Sequence, residues 1–327
     1  MIRVSEPLLN GNEKKYLCEA IDAGEVSSSG RFVKRFEESF AHWSGNKYAI
    51  AVSSGMSALE TAIWSVGIKE LSIPSGTIIS CYTAAIRAGA KVFLRDNFSL
   101  DGHDFMRCHL FGMFEHTKKQ GIIDDLSQYW KPYKVPVIGC YSLYANKLIT
   151  SGEGGVIVTN NDYLYKKAKS YRDLCHSKER FIHTDLGYNF RMSNIQAAVA
   201  LAQLEQIDKF TKIKQRNRDL YLKYLPDEVK PMFAVEVPWM YLIKTKHSAK
   251  RLVKALADRS IESRRFFYPL HRQPCIKNKL PLMAMRKEFP VAENLWRHAF
   301  YIPSGLTLTE KEISHVSDEL RTILRSV

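Results

Sequence analysis

Two apolar runs, Val137–Cys140 and Val156–Thr159, enclose a stretch that breaks at Ser142, passes a single lysine, Lys147, and closes on a glycine-rich turn, Gly152-Glu153-Gly154-Gly155. β-Branched runs bounded by turn-forming residues read as strand, irregular loop, tight turn and strand. Lysine is ordinarily a solvated surface residue. Pinned between two buried strands, its charge is partly desolvated, its pKa falls and its amine becomes a nucleophile toward carbonyls. On this stretch alone an ordinary surface lysine remains an equal reading, and the rest of the chain has to separate the two.

The chain has 327 residues and 45% hydrophobic content, enough for one large core and a second, smaller one. No run reaches the roughly 20 apolar residues of a membrane helix. The N-terminal MIRVSEPLLNGNEKK has no apolar core of signal-peptide type. Cys18, Cys81, Cys108, Cys140, Cys175 and Cys275 lie far apart with no CxxC pair, which argues against a zinc framework or a disulfide scaffold. A cytoplasmic protein without a membrane anchor is expected. The histidines form no HxxxH or HxH pair, so no metal is expected either. The net charge of +14 is spread over Lys14-Lys15, Lys118-Lys119, Lys166-Lys167 and a denser run from Lys209 to Lys223. With no helix-turn-helix, zinc-finger or RNP signature, nucleic acid is not expected as a partner.

Helical spacing covers 12–23 and Phe32 to Trp43, where Phe32, Phe36, Phe40 and Trp43 read as core. Between them Val26-Ser27-Ser28-Ser29-Gly30 reads as a polar, flexible loop. A short strand, Lys47 to Ser54, runs into Gly55-Met56-Ser57, which opens a helix. Strand, small residues and helix N-terminus form a geometry that binds phosphate through free N–H groups and the helix dipole. Further strands are expected at Leu71 to Pro74, Ala90 to Arg95 and 121–125, with a helix from Ile78 to Ala88. Asp124 and Asp125 end the last of these strands, where ligands bind in α/β sheets. Adjacent strand side chains face opposite ways, so only one of the two acids can face a given site. Such alternation predicts a mostly parallel sheet with helices on both faces. A helix at Tyr163 to Asp173 follows, then one long helical pattern through Tyr224 opened by a Ser193–Gln196 capping box. Pro226, Pro231 and Pro238 mark a boundary, giving a large unit at 1–225 and a smaller α/β unit at 226–327. The latter is expected to hold strand Met240 to Thr245, helix Ala249 to Arg259, strand Ile261 to Phe267 and a terminal helix from Leu308.

A turn fit for phosphate, an acid at a strand end and a lysine between strands suit a cofactor with a phosphate, a basic ring nitrogen and an aldehyde, which is pyridoxal 5′-phosphate (PLP). The chain resembles the PLP-dependent sugar aminotransferases of the DegT type, with the aspartate aminotransferase (fold type I) architecture. The matching segments run in order: Pro7 to Gly11, Ser28 to Val33, SGMSAL at 54–59, His109 to Gly112, IIDDLSQ at 122–128, YSLYANK at 141–147, GEGG at 152–155, LGYNFRMSNIQAA at 186–198 and YPLHRQP at 268–274. The resemblance implies that Lys147 links covalently to the cofactor and later shuttles the substrate proton. It implies that Asp125 pairs with the ring nitrogen, that Gln128 bonds the ring hydroxyl, and that Gly55, Met56, Ser57 and Ser142 cradle the phosphate. It further implies a homodimer in which Asn189 reaches the neighbouring subunit's cofactor. Ser28, Ser29, Tyr268 and His271 resemble substrate-side residues.

Members carrying Asn-Lys followed by G-E-G-G resemble those that aminate C4 of a nucleotide-linked 4-keto-6-deoxyhexose, such as perosamine and viosamine synthases. Asn146-Lys147 and Gly152 to Gly155 fit that subgroup. L-Glutamate is the implied amino donor and a nucleotide-diphosphate keto sugar the acceptor. The alternatives are a C3 aminotransferase acting on a 3-keto sugar and a non-enzymatic PLP- or sugar-binding regulator. Met56 stands where the family usually has threonine and Ile78 where an aromatic usually stacks on the cofactor. The segment from Asp96 to His109 is shorter than is usual, so a compact enzyme is expected.

Overall fold

The computed structural model describes residues 1–96, 105–114, 122–179, 181–232, 235–277 and 288–326. Its central layer has seven strands: β1 (Tyr48–Val52), β2 (Glu70–Pro74), β3 (Lys91–Arg95), β4 (Met106–Cys108), β5 (Ile123–Asp125), β6 (Ile138–Ser142) and β7 (Gly155–Thr159). Five are hydrogen-bonded in the order β1-β7-β6-β5-β4. β2 pairs with β3 and continues toward β4 through a parallel bridge between Ser72 and Phe105. β1 to β6 share one direction, and β7 alone is antiparallel to its neighbours. The expected mostly parallel sheet is therefore present. Its single reversal is the hairpin of β6, the Lys147 loop and β7, because a loop this short can return the chain only antiparallel.

Helices α1 (Glu13–Asp22), α2 (Arg31–Ser44), α3 (Gly55–Val66), α4 (Ile79–Arg87), α5 (Asp162–Arg172), α6 (Asn194–Leu204) and α7 (Ile207–Tyr224) surround the sheet. Strand alternation divides its side chains between two cores. Ile50, Val52, Ile138, Cys140 and Ile157 join one with Ala58, Leu59, Ala62 and Ile63 of α3 and Cys81 and Ala85 of α4. Ala49, Ala51, Tyr141, Val156 and Val158 join the other with Phe32, Phe36 and Phe40 of α2 and the alanines of α6. The aromatic spacing of α2 thus does mark core. The Ser193–Gln196 capping box forms as read. The long pattern behind it is two helices, not one. Glu205, between them, accepts hydrogen bonds from Tyr16 (2.7 Å) and Asn12 (2.8 Å) near the N-terminus, and the break turns it toward them.

A second sheet, β10-β11-β9-β8, contains β8 (Lys230–Pro231), β9 (Tyr241–Lys244), β10 (Arg264–Arg265) and β11 (Ala299–Ile302). Helices Ala249–Ala257 and Glu310–Arg325 pack their apolar faces on it. The expected strand from Ile261 to Phe267 is reduced to β10, because Ile261 bridges instead to Ile2. Gly121, expected within a strand, the Lys118-Lys119 pair and residues 97–104 lie outside the described residues. Among the described residues no helix is long and apolar enough to cross a membrane.

Helix α7 bridges two cores, with Phe210 in one and Tyr221 in another. Between them Lys214 is 2% exposed. Its Nζ donates to the carbonyls of Trp239 (2.7 Å) and Ser304 and to Ser304 Oγ. Burial lowers its pKa to about 7. The unfolded value is about 10.4, so between these two limits the unfolded chain binds the extra proton. Stability therefore rises with pH from about 7 upward, by at most about 1.4 kcal/mol per unit from this group. Lys214→Met is expected to flatten that rise in urea midpoints measured between about pH 7 and pH 9. An equal rise in both proteins would remove Lys214 as its source.

Candidate active site

The carboxyl ends of β1, β5 and β6 meet at one edge of the sheet. At the neck of the hairpin Ser142 pairs with Gly155. Beyond it the loop is tied internally: Leu143 N donates to Gly154 O, Ser151 N and Thr150 Oγ1 donate to Leu143 O, and Lys147 N donates to Tyr144 O. Gly152 and Gly154 have φ of +81° and +155°, which glycine adopts without a steric penalty. Glu153 is exposed, and its carbonyl accepts from Ser151 Oγ and Gln196 Nε2. The turn thus returns the chain to the sheet. Lys147 is half-buried, and desolvation lowers its amine to about 8 against the opposing pull of the Asp125 carboxylate. Near neutral pH a usable fraction of such an amine is unprotonated.

Asp124 and Asp125 separate as strand geometry requires. Asp124 is fully buried and accepts from Arg107 Nε (2.6 Å) and Nη2 (2.8 Å), with His109 Nε2 at 3.0 Å. Asp125 faces the other way. Its Oδ1 accepts from Ser127 N (3.0 Å) and its Oδ2 from Cys81 Sγ (3.2 Å). Cys81, Cys108 and Asp125 place their donor atoms within 4.8 Å of one another. Hydrogen bonding to Cys108 and burial raise the Cys81 pKa well above the ordinary thiol value.

β1 passes through Ser53 and Ser54 into α3, and Ser54 Oγ caps the helix by accepting from Ser57 N (3.0 Å). A Cβ on Gly55 would lie 2.7 Å from Ser142 Cβ, and one on Gly155 would lie 2.4 Å from Ser54 O. Only glycines let the helix start press against the hairpin neck. The first-turn N–H groups and the positive end of the helix dipole then sit beside the Ser142 hydroxyl, a site suited to an anion. Ser57 is buried, its Oγ within 2.8 Å of Ser54 Oγ and 3.2 Å of Ser53 Oγ. Met56 packs on the core below. Gln128, also buried, accepts at Oε1 from Phe111 N (2.9 Å), and Phe111 is held at φ +55°.

Asn189 is exposed and bridges Asp173. Ser28 is half-buried and Ser29 exposed. Their loop, read as flexible, is tied down by buried Asn194, whose Nδ2 donates to Glu25 O and whose Oδ1 accepts from Phe32 N, while its own N–H donates to Ser27 O. Tyr268 is 37% exposed and meets Trp296 edge-on. Both ring nitrogens of His271 are engaged, Nδ1 with Ser75 Oγ (2.7 Å) and Nε2 with Glu293 Oε1 (3.0 Å), and burial lowers its pKa. Trp239, Cys81 and Asn194 were not singled out from sequence. Asn194 directly follows a helix cap and could have been suspected, whereas nothing local to Trp239 or Cys81 announces its neighbours.

The model of the DegT/DnrJ/EryC1/StrS aminotransferase family matches residues 7–99 and 134–321. The GDP-perosamine synthase of Escherichia coli O157:H7 is 31% identical over 98% of this chain and 97% of its own length. That of Caulobacter vibrioides is also 31% identical, over 99% and 98%. The structure of Helicobacter pylori PseC, an aminotransferase of pseudoaminic acid biosynthesis, superposes with a TM-score of 0.90 at 18% identity over all of both chains.

Proposed function

The chain belongs to the DegT/DnrJ/EryC1/StrS aminotransferase family, and we propose that it transfers the amino group of L-glutamate to the C4 ketone of a nucleotide-linked 4-keto-6-deoxyhexose, giving a 4-amino-4,6-dideoxy sugar. It is a PLP-dependent nucleotide-sugar aminotransferase of fold type I. The full-length likeness to two GDP-perosamine synthases supports the choice of C4. Asn146-Lys147 and the Gly152 to Gly155 turn lend it further support.

The residues present fit PLP: an amine lowered to about 8, a carboxylate coupled to it, and an anion site at a helix start that a Cβ on Gly55 would crowd. When bound, PLP supplies an aldehyde that captures amines and a ring that accepts electrons. In this proposal Lys147 would hold the cofactor covalently until a substrate amine displaces its Nζ, and the freed Nζ would then carry a proton from the substrate carbon to the cofactor's aldehyde carbon, and the reverse way in the second half of the reaction. The Asp125 carboxylate keeps the ring nitrogen protonated. Gln128 orients the ring hydroxyl. The N–H groups of Gly55 and Met56, with the Ser57 and Ser142 hydroxyls, hold the phosphate. Asn189, exposed on its own subunit, reaches the phosphate bound by a second copy in a homodimer. Ser28, Ser29 and Tyr268 serve the sugar nucleotide. His271, with both nitrogens engaged, serves it by bracing Ser75 against Glu293.

Purified enzyme is expected to aminate one or more 4-keto-6-deoxy sugars carried on GDP, dTDP or UDP, with L-glutamate as donor. Mass spectrometry and NMR of the product locate the nitrogen. Nitrogen at C3, or no amination of any acceptor in the panel, would overturn the C4 proposal and leave the family membership standing.

A further inference from the structure

Lys147 is reached from outside its own loop by Trp239, 4% exposed, just before β9. The indole ring lies beneath the amine, with its centre 4.3 Å from Nζ. Its Nε1 donates to the carbonyl of Asn146 (3.0 Å), the residue immediately before the lysine. One contact fixes the peptide from which the lysine springs and the other meets the end of its side chain. Trp239 is itself held: its carbonyl accepts from Lys214 Nζ (2.7 Å), and its ring packs on Phe111 (5.5 Å) and Tyr301 (6.2 Å). The N–H of that same Phe111 donates to Gln128. Trp239 therefore ties together the lysine loop and Phe111, the residue that binds Gln128, through its ring, and α7 through its carbonyl.

We propose that Trp239 is the positioning residue for Lys147, its N–H anchoring the Asn146 peptide and its ring face holding the amine toward Asp125. Its catalytic relevance rests on the role given to Lys147 under Proposed function. An aromatic face attracts a desolvated cation, so it favours the ammonium form and tempers the fall in pKa that burial imposes. Leucine is apolar and fills much of the same space. It keeps most of the burial and removes both contacts. Phenylalanine keeps a ring face and removes only the N–H.

The test starts with apoprotein. The pH dependence of Lys147 acetylation by acetic anhydride, read by peptide mass spectrometry, gives the pKa of its amine. Trp239→Leu is expected to lower that pKa by about one unit, and Trp239→Phe by less than half as much. Both variants are expected to speed amide hydrogen exchange in the Lys147 loop by about tenfold, through loss of the Asn146 anchor. In the loaded enzyme kcat should fall by about tenfold or more while the KM for L-glutamate stays within about twofold. A Leu variant whose Lys147 pKa is unchanged or raised overturns the ring's role. A Phe variant with unaltered loop exchange overturns the anchor, and this second arm decides if the Leu variant does not fold. If Lys147→Ala retained bound cofactor while both apoprotein arms behaved as expected, the role given to the lysine would fail and the Trp239 contact would stand.

Discussion

Lys147→Ala is expected to abolish the visible absorbance band of PLP-reconstituted protein and to lower turnover by about ten-thousand-fold or more. The lysine sits in a loop whose own hydrogen bonds, from Leu143, Thr150 and Ser151, do not use its side chain. Removing the side chain therefore leaves the loop closed, and the fold should lose no more than about 1 kcal/mol. What disappears is an amine lowered to about 8 and drawn by the Asp125 carboxylate. Lys147→Arg should fare no better, because a guanidinium stays charged and cannot act as the nucleophile. Absorbance spectra on adding PLP, then L-glutamate, read both variants directly. Wild type should show the band and bleach with glutamate. A band of wild-type intensity in Lys147→Ala would show that another group holds the cofactor.

The parts legible in sequence share a physical property: their signal is local. The strands at 48–52, 138–142 and 155–159 declare themselves by their own apolar residues, which strand alternation then divides between the two cores. The glycine at 55 and the turn at 152–155 are demanded by backbone geometry, which a few residues declare. The missed features depend on distant partners. The break between α6 and α7 answers to Tyr16 and Asn12, which reach Glu205 from 189 and 193 positions away in the chain. Trp239 finds Asn146 across 93 positions. His271 is occupied by Ser75, 196 positions away. β11 is a four-residue strand directly after a helix, too short for any periodicity to separate it.

Asp124→Asn and Asp125→Asn alter neighbouring residues by the same atom exchange, and they should fail in different ways. Asp124 is fully buried, and its two oxygens take both a bidentate Arg107 and His109. Arg107 is itself 5% exposed, so an amide at 124 leaves a buried guanidinium without its counter-charge. Breaking one side of such a pair costs about 3–5 kcal/mol, which in a chain of this size lowers the melting temperature by on the order of 10 °C. Asp125 instead accepts from a backbone N–H and a thiol. An asparagine oxygen can still accept one of these, so stability should fall by only about 1 kcal/mol. Its charge, however, is what reaches the Lys147 amine and what would hold a proton on the cofactor ring. Without that charge the ring nitrogen loses its proton and its capacity to draw electrons, and turnover should fall by about a thousandfold. Melting curves of both apoproteins, paired with turnover at a temperature where both are folded, separate the outcomes. If the protein with asparagine at 125 melted lower than the one with asparagine at 124 and kept its turnover, the two acids would have exchanged roles and β5 would face the site with its other side.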